Sequence, residues 1–350
     1  MKTQSANRAT IAAACWIAAN VFSPTMASPQ KLFRSTVPVE ITFTTNLKAL
    51  LKDRDSTKFV AHEAALSYKD ADGRVTTIPA TLHTRGHFRR QARNCDFPPL
   101  LVEFKKKDAN KTLLQGNKQL KITTNCKPKS DEYEQYVLQE YAVYRLYERI
   151  SPVHFRTRLA RITYVDSAAA MPSVTSWAFL IEDDKEVAKQ FELAAEKEHG
   201  ALFDDLEKKQ LAITALFEYM IGNTDWSISG LHNISLLRDS SGTINTVAYD
   251  FDWSGAVNPK YAFPDARLDI KRVTDRLYRG PCLTPVQWQP IFERFNSAKP
   301  AVDSIYKSVP SLDPKLVKEA IAFYEEFYKR ISEPRAAKRA VVDGCQPKGN

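Results

Sequence analysis

The sequence predicts an α+β fold, in which a β-rich first lobe carrying one long helix precedes a mainly helical second lobe. Three observations support this prediction. Apolar residues alternate with polar ones in several short segments before residue 131, which indicates strands. Residues 132–150 carry apolar side chains at helical spacing. Beyond a charged break at residues 181–186, most of the apolar pattern has helical periodicity.

The composition fits a sizeable globular protein. The chain has 350 residues, of which 43% are hydrophobic, enough for one large domain or two lobes. Neither G-x-G-x-x-G nor G-x-x-x-x-G-K-[S/T] occurs among its 11 glycines, which argues against a dinucleotide-binding fingerprint and a P-loop.

The N-terminus has the pattern of a secretory signal. Lys2 and Arg8 precede an apolar run at 11–22, and Ala27 lies at a small-residue cleavage position. We therefore expect a signal peptide at 1–27, a β-rich lobe at 28–182 and a helical lobe at 183–350. The alternatives are a buried N-terminal helix and a lipid anchor at Cys15, which the short preceding apolar run disfavours. No later apolar run approaches the about 20 residues needed to span a bilayer.

The charge favours an anionic ligand. The formal net charge is +9, and it falls to +7 when Lys2 and Arg8 leave with the signal peptide. A moderately basic protein suits a phosphate-bearing or acidic ligand. No nucleic-acid recognition motif accompanies the charge, so the sequence does not indicate sequence-specific nucleic-acid binding.

Four cysteines follow the predicted signal peptide: Cys95, Cys126, Cys282 and Cys345. An even number of cysteines in an exported protein favours two disulfides, for which three connectivities exist. We prefer Cys95–Cys126 and Cys282–Cys345, because each pair closes within one half of the chain. A zinc site is the alternative, although no C-x-x-C occurs and histidines are few.

Short elements account for most of the first half. A helix at 47–52 begins after Asn46, a residue that caps helices. A hairpin turns at Asp72-Gly73. Strands are predicted at 37–43, 64–68, 75–84, 100–104, 120–124, 158–165 and 177–181.

The long helix at 132–150 places a carboxylate among its apolar residues. Glu140 lies four residues from both Tyr136 and Tyr144, on the same helix face. Because an unpaired buried charge is costly, Glu140 needs a cationic partner. We expect this partner to be Lys121, which lies on the strand at 120–124 with its side chain opposite to those of the flanking apolar residues.

The second half contains helices and one hairpin. A helix beginning near residue 206 ends at Gly222, a residue typical of helix C-termini. Segments 234–237 and 246–248 flank Ser240-Ser241-Gly242, which predicts a hairpin. A further amphipathic helix is predicted at 316–331.

Polar residues flank that hairpin with the spacing of a phosphoryl-transfer site. Asp225 precedes it on a loop, Asn233 begins it, and Asp250 follows it. Asp225 would accept a proton from the acceptor hydroxyl, while Asn233 and Asp250 would bind magnesium. Asp252 would share the face of Asp250 and contact the same metal. The alternatives are a simple turn at Asp225 and a metal-dependent hydrolase using Asp250 and Asp252.

The nucleotide would be bound from the β-rich half. Lys121 paired with Glu140 would hold phosphates, as strand lysines do in kinases, and the alternative is a lysine that faces solvent. Arg85 and Gly86 close the first hairpin and would cover the phosphates, although a solvated basic turn is the alternative. The link at Glu182 would offer backbone groups to adenine.

These motifs resemble the spore-coat CotH family of atypical protein kinases, and more distantly HipA-like kinases. Arg85-Gly86 is similar to the family's Arg-Gly-Asn turn, residues 221–225 to its Ile-Gly-Asn-x-Asp loop, and residues 249–252 to its Trp-Asp-x-Asp segment. The resemblance implies a two-lobed protein-kinase-like fold, with Asp225 catalytic and with Asn233 and Asp250 as metal ligands.

Two positions depart from that family's pattern. Asn233 follows Asp225 by eight residues, a longer interval than in the family, and His87 replaces the asparagine after the glycine. We expect an exported phosphotransferase that binds ATP, or another nucleotide, with Mg²⁺ or Mn²⁺ between its lobes. Its acceptor would be a protein or small-molecule hydroxyl. The alternative is an inactive protein of the same fold that serves in binding or envelope assembly.

Overall fold

The computed structural model describes residues 32–70, 72–197 and 199–347. The predicted signal peptide and Cys15 lie outside the described residues. The first half comprises β1 (Val39–Thr45), α1 (Leu47–Lys52), β2 (His62–Lys69), β3 (Val75–Thr84), β4 (Leu100–Glu103), α2 (Lys106–Ala109), β5 (Gln119–Thr123), α3 (Asp131–Ile150), β6 (Thr157–Asp166) and β7 (Val174–Ile181). The second half comprises α4 (Asp184–Gln190), β8 (Ala194–Glu196), α5 (Lys208–Ile221), β9 (Ile234–Arg238), β10 (Ile244–Ala248), α6 (Pro285–Ser308), α7 (Pro314–Ser332) and α8 (Pro334–Ala337).

Seven strands close into a barrel in the order β1-β2-β3-β4-β5-β7-β6. Closure depends on β1 and β6, which pair in parallel with Val39 opposite Ala160, whereas the other neighbours pair antiparallel. Alternate side chains fill the interior, among them Phe43, Leu82 and Tyr164. The remaining strands form a separate sheet in the order β10-β9-β8.

The predicted two-lobed kinase-like fold with a separate β-rich lobe is wrong. The strands instead form a closed barrel within a mixed α and β fold. Helix α3 packs against the outside of the barrel, where Tyr144 meets Phe179 of β7. The same helix contacts the second half through Tyr147 and Phe217 of α5. Its side chains therefore belong to one hydrophobic core shared by the barrel wall and the helices.

Most individual elements agree with the sequence prediction. Helix α1, the hairpin β2–β3, helix α3 and the hairpin β9–β10 lie within a few residues of their expected bounds. Helix α6 was not predicted. It contains Pro290 and Pro300, which disfavour a helix interior, although Thr284 and Gln287 form a capping box at its start.

Both predicted disulfides are confirmed. Cys95 is bonded to Cys126, and Cys282 is bonded to Cys345. Such bonds persist in oxidising compartments, so they fit an extracellular location. Among the described residues, no helix has the length and apolar character needed to cross a membrane.

Removing the first disulfide is expected to destabilise the protein. Cys95 and Cys126 are buried, and the bond fixes the chain after β3 beside the chain after β5. The double variant Cys95→Ala/Cys126→Ala should lose about 2–5 kcal/mol of unfolding free energy, because its unfolded chain is less constrained. Urea denaturation measures this loss, and wild-type protein treated with dithiothreitol is the control for reduction. An unchanged urea midpoint in the variant would contradict the prediction.

Candidate functional site

Helix α3 fixes the segment that follows the hairpin β9–β10. Glu140, Tyr144 and Tyr147 lie on neighbouring turns of one helix face. The backbone N–H of Asp250 donates to the Tyr144 hydroxyl at 2.8 Å, and that of Ala248 donates to the Tyr147 hydroxyl at 3.2 Å. The helix therefore sets the position of Asp250.

The hairpin places Asn233 and Asp250 at the same end. Ile234 pairs with Ala248, and the Tyr249 N–H donates to the Asn233 carbonyl at 3.0 Å. Asn233 and Asp250 both adopt left-handed backbone conformations, with φ of 55° and 61°. Such conformations are uncommon outside glycine and often occur at functional sites.

Asp225 lies on the loop that follows α5, close to this end of the hairpin. The helix ends at Gly222, whose φ is 66° and whose carbonyl accepts the Gly255 N–H at 3.1 Å. The Asn233 Nδ2 donates to the Asp225 carbonyl at 2.7 Å and lies 3.2 Å from its Oδ2. The loop carrying Asp225, the start of β9 and the segment after β10 therefore converge.

His232 is the nearest imidazole to the predicted base. Its Nε2 lies 3.0 Å from the Asp225 Oδ1. The hydrogen bond to Asp225 raises the pKa of His232, and the charges of Asp225 and Asp250 raise it further, while burial opposes this. The imidazole therefore contacts the Asp225 carboxylate directly.

A single buried arginine joins three carboxylates. The Arg89 Nη2 lies 3.2 Å from the Asp250 Oδ1, its Nε 3.6 Å from the Asp252 Oδ2, and its Nη1 3.9 Å from the Glu140 Oε2. Burial opposes the charge of Arg89, but Asp252, Glu140 and Asp250 together raise its pKa above the ordinary value. A guanidinium suits this role, because its donors point in several directions.

The expected pair between Lys121 and Glu140 is not formed. The Lys121 Nζ instead lies 2.9 Å from the Asp184 Oδ2 and above the rings of Phe155 and Tyr249, at 5.3 and 5.5 Å from their centroids. Glu140 does have a cationic partner, as expected, but that partner is Arg89, which lies on the turn after β3. Lys121 still lies beside Tyr249, the residue before Asp250.

Glu140 and Asp252, the two buried carboxylates beside Arg89, both have raised pKa values. Burial raises the pKa of Glu140 well above its ordinary value, against the opposing effect of Arg89. Burial also raises the pKa of Asp252 to about 6, again against Arg89 and reinforced by Asp250. Tyr261 donates to the Asp252 Oδ2 at 3.0 Å, whereas the Glu140 Oε1 is buried without a hydrogen bond.

The other residues predicted to contact the nucleotide are Arg85, Gly86 and Glu182, and they lie in different environments. The positive charge of Arg85 lowers the pKa of Glu140, which indicates that the two side chains lie near each other. Gly86 forms a left-handed turn with φ of 83°. Glu182 is fully buried and bonded to Arg156. Its backbone N–H donates to the Arg156 carbonyl at 3.1 Å, so that donor is already used and cannot also bind adenine.

Asn233 and Asp250 offer oxygen atoms of the kind that magnesium prefers. Within residues 32–70, 72–197 and 199–347, no group of three or more His, Cys, Asp or Glu side chains is arranged to hold a metal ion. Magnesium, however, is often bound by one or two carboxylates together with substrate phosphates. Asp250, 39% exposed, and Asn233 fit that kind of site. Asp252 instead contacts Arg89 and Tyr261.

A cavity of about 730 Å³ opens beside Asp225. Its lining combines aromatic and charged side chains. They are Thr224, Asp225, Trp226, Ser227, His232, Trp253, Phe263, Asp265, Ala266, Arg267, Leu268, Val273 and Arg279.

Several residues of the site have contacts that the sequence prediction did not assign to them. Arg89, Tyr144 and Tyr261 each contact a predicted carboxylate or its backbone. The buried position of Glu140 was the available signal for Arg89, since an arginine pairs with buried carboxylates more readily than a lysine.

Comparison with known proteins assigns no family. No family model matches the chain, and a search of curated proteins finds no significant match.

Proposed function

We propose that the protein is an exported phosphotransferase that moves a phosphoryl group from a nucleotide to a hydroxyl group. One observation carries the proposal: Asp225, Asn233 and Asp250 lie together at the open end of a hairpin, joined by the Asn233 bonds to Asp225 and to Tyr249. A base and oxygen ligands for a metal are the protein groups that phosphoryl transfer requires.

Asp225 would act as the base. Its side chain is 39% exposed and lines the cavity, so an acceptor hydroxyl can reach it. Asn233 and His232 both contact the carboxylate and fix its orientation. A positioned carboxylate can orient the hydroxyl and take its proton as transfer proceeds.

Asn233 and Asp250 would hold Mg²⁺ or Mn²⁺ together with the nucleotide phosphates. A metal bound there neutralises negative charge on the phosphates. Arg89 and Lys121 supply positive charge on the same side, since Arg89 contacts Asp250 and Lys121 lies over Tyr249. Arg85 adds a further charge near Glu140, whose pKa it lowers. Arginine and lysine side chains are common phosphate ligands.

The resemblance of residues 221–225 and 249–252 to the CotH-type kinase motifs supports the same assignment. We further propose that the protein acts in the periplasm or after secretion. The two disulfides and the signal-like N-terminal sequence favour these compartments.

A binding or envelope-assembly protein without catalysis is the second candidate. One observation favours it: Arg89 already contacts both Asp250 and Asp252, the carboxylates expected to face the metal. A fixed guanidinium at this place would reduce the need for a metal cation.

Two measurements on the purified mature protein test the proposal. Thermal denaturation with ATP, in the presence and absence of Mg²⁺ or Mn²⁺, reports nucleotide binding. Labelled ATP reports transfer to the protein, to added hydroxyl compounds or to water. We expect metal-dependent stabilisation together with release or transfer of the label. Stabilisation without either reaction would favour the binding protein, and the absence of both stabilisation and reaction would refute the phosphotransferase and leave the second candidate without a nucleotide-binding role.

A further inference from the structure

The cavity beside Asp225 has an aromatic wall. The rings of Trp253 and Phe263 lie 5.0 Å apart, and Phe263 is 64% exposed although it is a large apolar residue. Phe88 packs edge-on against Trp253 with ring centroids 5.4 Å apart, and this contact helps to hold the indole in place. Aromatic side chains that line a cavity are typical of small-molecule sites.

The charged side chains around the cavity already have partners within the protein. The Arg267 Nε lies 3.0 Å from the Asp265 Oδ1, and His232 lies beside Asp225. Arg279 donates to the backbone carbonyls of Thr224 and Trp226 and is attracted by the charges of Asp265 and Asp225. A strongly charged ligand would have to disrupt these pairs. The lining therefore suits a neutral ligand that forms hydrogen bonds.

We infer that this cavity binds a neutral carbohydrate whose hydroxyl is the phosphoryl acceptor. The inference names the acceptor of the reaction proposed above and rests on that proposal. The electronegative face of an aromatic ring attracts the C–H groups of a sugar ring. Sugar hydroxyls would bond to the polar side chains that also line the cavity. A volume of about 730 Å³ lies within the usual range for small-molecule sites and accommodates one or two sugar rings.

Asp225 contributes to the cavity wall, so it would meet the reacting hydroxyl directly. The sugar O–H proton passes to the Asp225 carboxylate, and a bond forms between the sugar oxygen and the terminal phosphorus of a nucleoside triphosphate. The bond from that phosphorus to its bridging oxygen breaks at the same time. The products are a sugar phosphate and a nucleoside diphosphate.

A serine- or threonine-containing peptide fits the cavity less well. Peptide backbone groups need hydrogen-bond partners when they are buried. Two backbone carbonyls beside Asp225, those of Thr224 and Trp226, already accept hydrogen bonds from Arg279. Those two carbonyls are therefore less available to the N–H groups of a bound peptide.

Saturation-transfer NMR and titration of tryptophan fluorescence test the inference without nucleotide. The probes are glucose, galactose, mannose, N-acetylglucosamine, cellobiose, maltose and chitobiose. We expect saturable binding of at least one probe by the wild-type protein. Phe263→Ala should weaken that binding about tenfold, since it removes an aromatic contact from an exposed position and leaves the core intact.

Phe59→Ala is the matched control. Phe59 is also 64% exposed, but it stacks on His83 of the barrel with centroids 3.9 Å apart. Its replacement should leave saccharide binding unchanged. Trp253→Ala provides a second test of the aromatic wall, with its fold checked by circular dichroism, and should weaken binding at least as much as Phe263→Ala.

The outcomes separate this inference from the proposed function. It is overturned if no probe binds, or if Phe263→Ala and Trp253→Ala both bind as the wild type does. Saccharide binding that depends on Phe263 supports the carbohydrate site even if ATP neither binds nor reacts, and in that case the phosphotransferase proposal fails alone. Nucleotide binding and turnover without saccharide binding leave that proposal standing and refute the carbohydrate acceptor.

Discussion

Replacement of Asp225 by asparagine is expected to reduce phosphoryl transfer about 10²- to 10⁴-fold, the contribution typical of a general base. Asparagine keeps the size of the side chain and can still bond to Asn233 or His232, but it cannot take up the acceptor proton. Nucleotide affinity should stay at the wild-type value, because Asp225 faces the acceptor cavity. Transfer from labelled ATP and nucleotide titration measure the two quantities separately.

Asp204→Asn is the control for this experiment. It removes the same charge from a side chain that is 82% exposed and lies outside the cavity lining. It should retain wild-type activity. Thermal denaturation establishes that both variants are folded. Equal activity in Asp225→Asn and wild type would exclude Asp225 as the base, and a parallel loss of nucleotide affinity would assign it a binding role instead.

Replacement of Arg89 by methionine is expected to destabilise the fold by about 3–5 kcal/mol, the cost typical of removing one partner of a buried ion pair. The variant leaves Glu140, Asp252 and Asp250 without their shared cation. Methionine fills much of the same volume, so the loss reflects charge more than an empty cavity. Urea denaturation at pH 7 measures the change in unfolding free energy.

Two further variants identify the cause of that loss. Arg74→Met breaks a surface pair whose side chains are 79% and 71% exposed, so it should cost less than about 1 kcal/mol. Adding Glu140→Gln to Arg89→Met removes one uncompensated carboxylate and should restore part of the lost stability. If Arg89→Met costs no more than Arg74→Met, the buried cluster does not depend on the arginine.

Local sequence patterns predicted much of the secondary structure and part of the site. The turn Ser240-Ser241-Gly242 between two apolar segments identified the hairpin β9–β10, and Gly222 marked the end of α5. These features depend on neighbouring residues, so a single sequence is sufficient to predict them. The same hairpin explains why Asn233 and Asp250 lie together, since antiparallel pairing brings its two ends to one place.

The errors arose from contacts between distant residues. The sequence predicted β1 and β6 as strands, but a local pattern carries no information that Val39 pairs with Ala160 and closes a barrel. Glu140 was correctly expected to need a cation, yet the three-dimensional path of the turn after β3 decided that Arg89, rather than Lys121, supplies it. The identity of such a partner depends on the tertiary structure.

Electron paramagnetic resonance of Mn²⁺ tests the central claim most directly, because it reports bound metal independently of any acceptor. The wild-type protein should bind Mn²⁺ much more tightly with a non-hydrolysable ATP analogue than without it. Asp250→Asn should weaken that binding at least about tenfold, whereas Asp303→Asn, which alters a side chain 52% exposed on α6, should not. Absence of nucleotide-dependent Mn²⁺ binding by the wild type, or equal binding by Asp250→Asn, would contradict the phosphotransferase account.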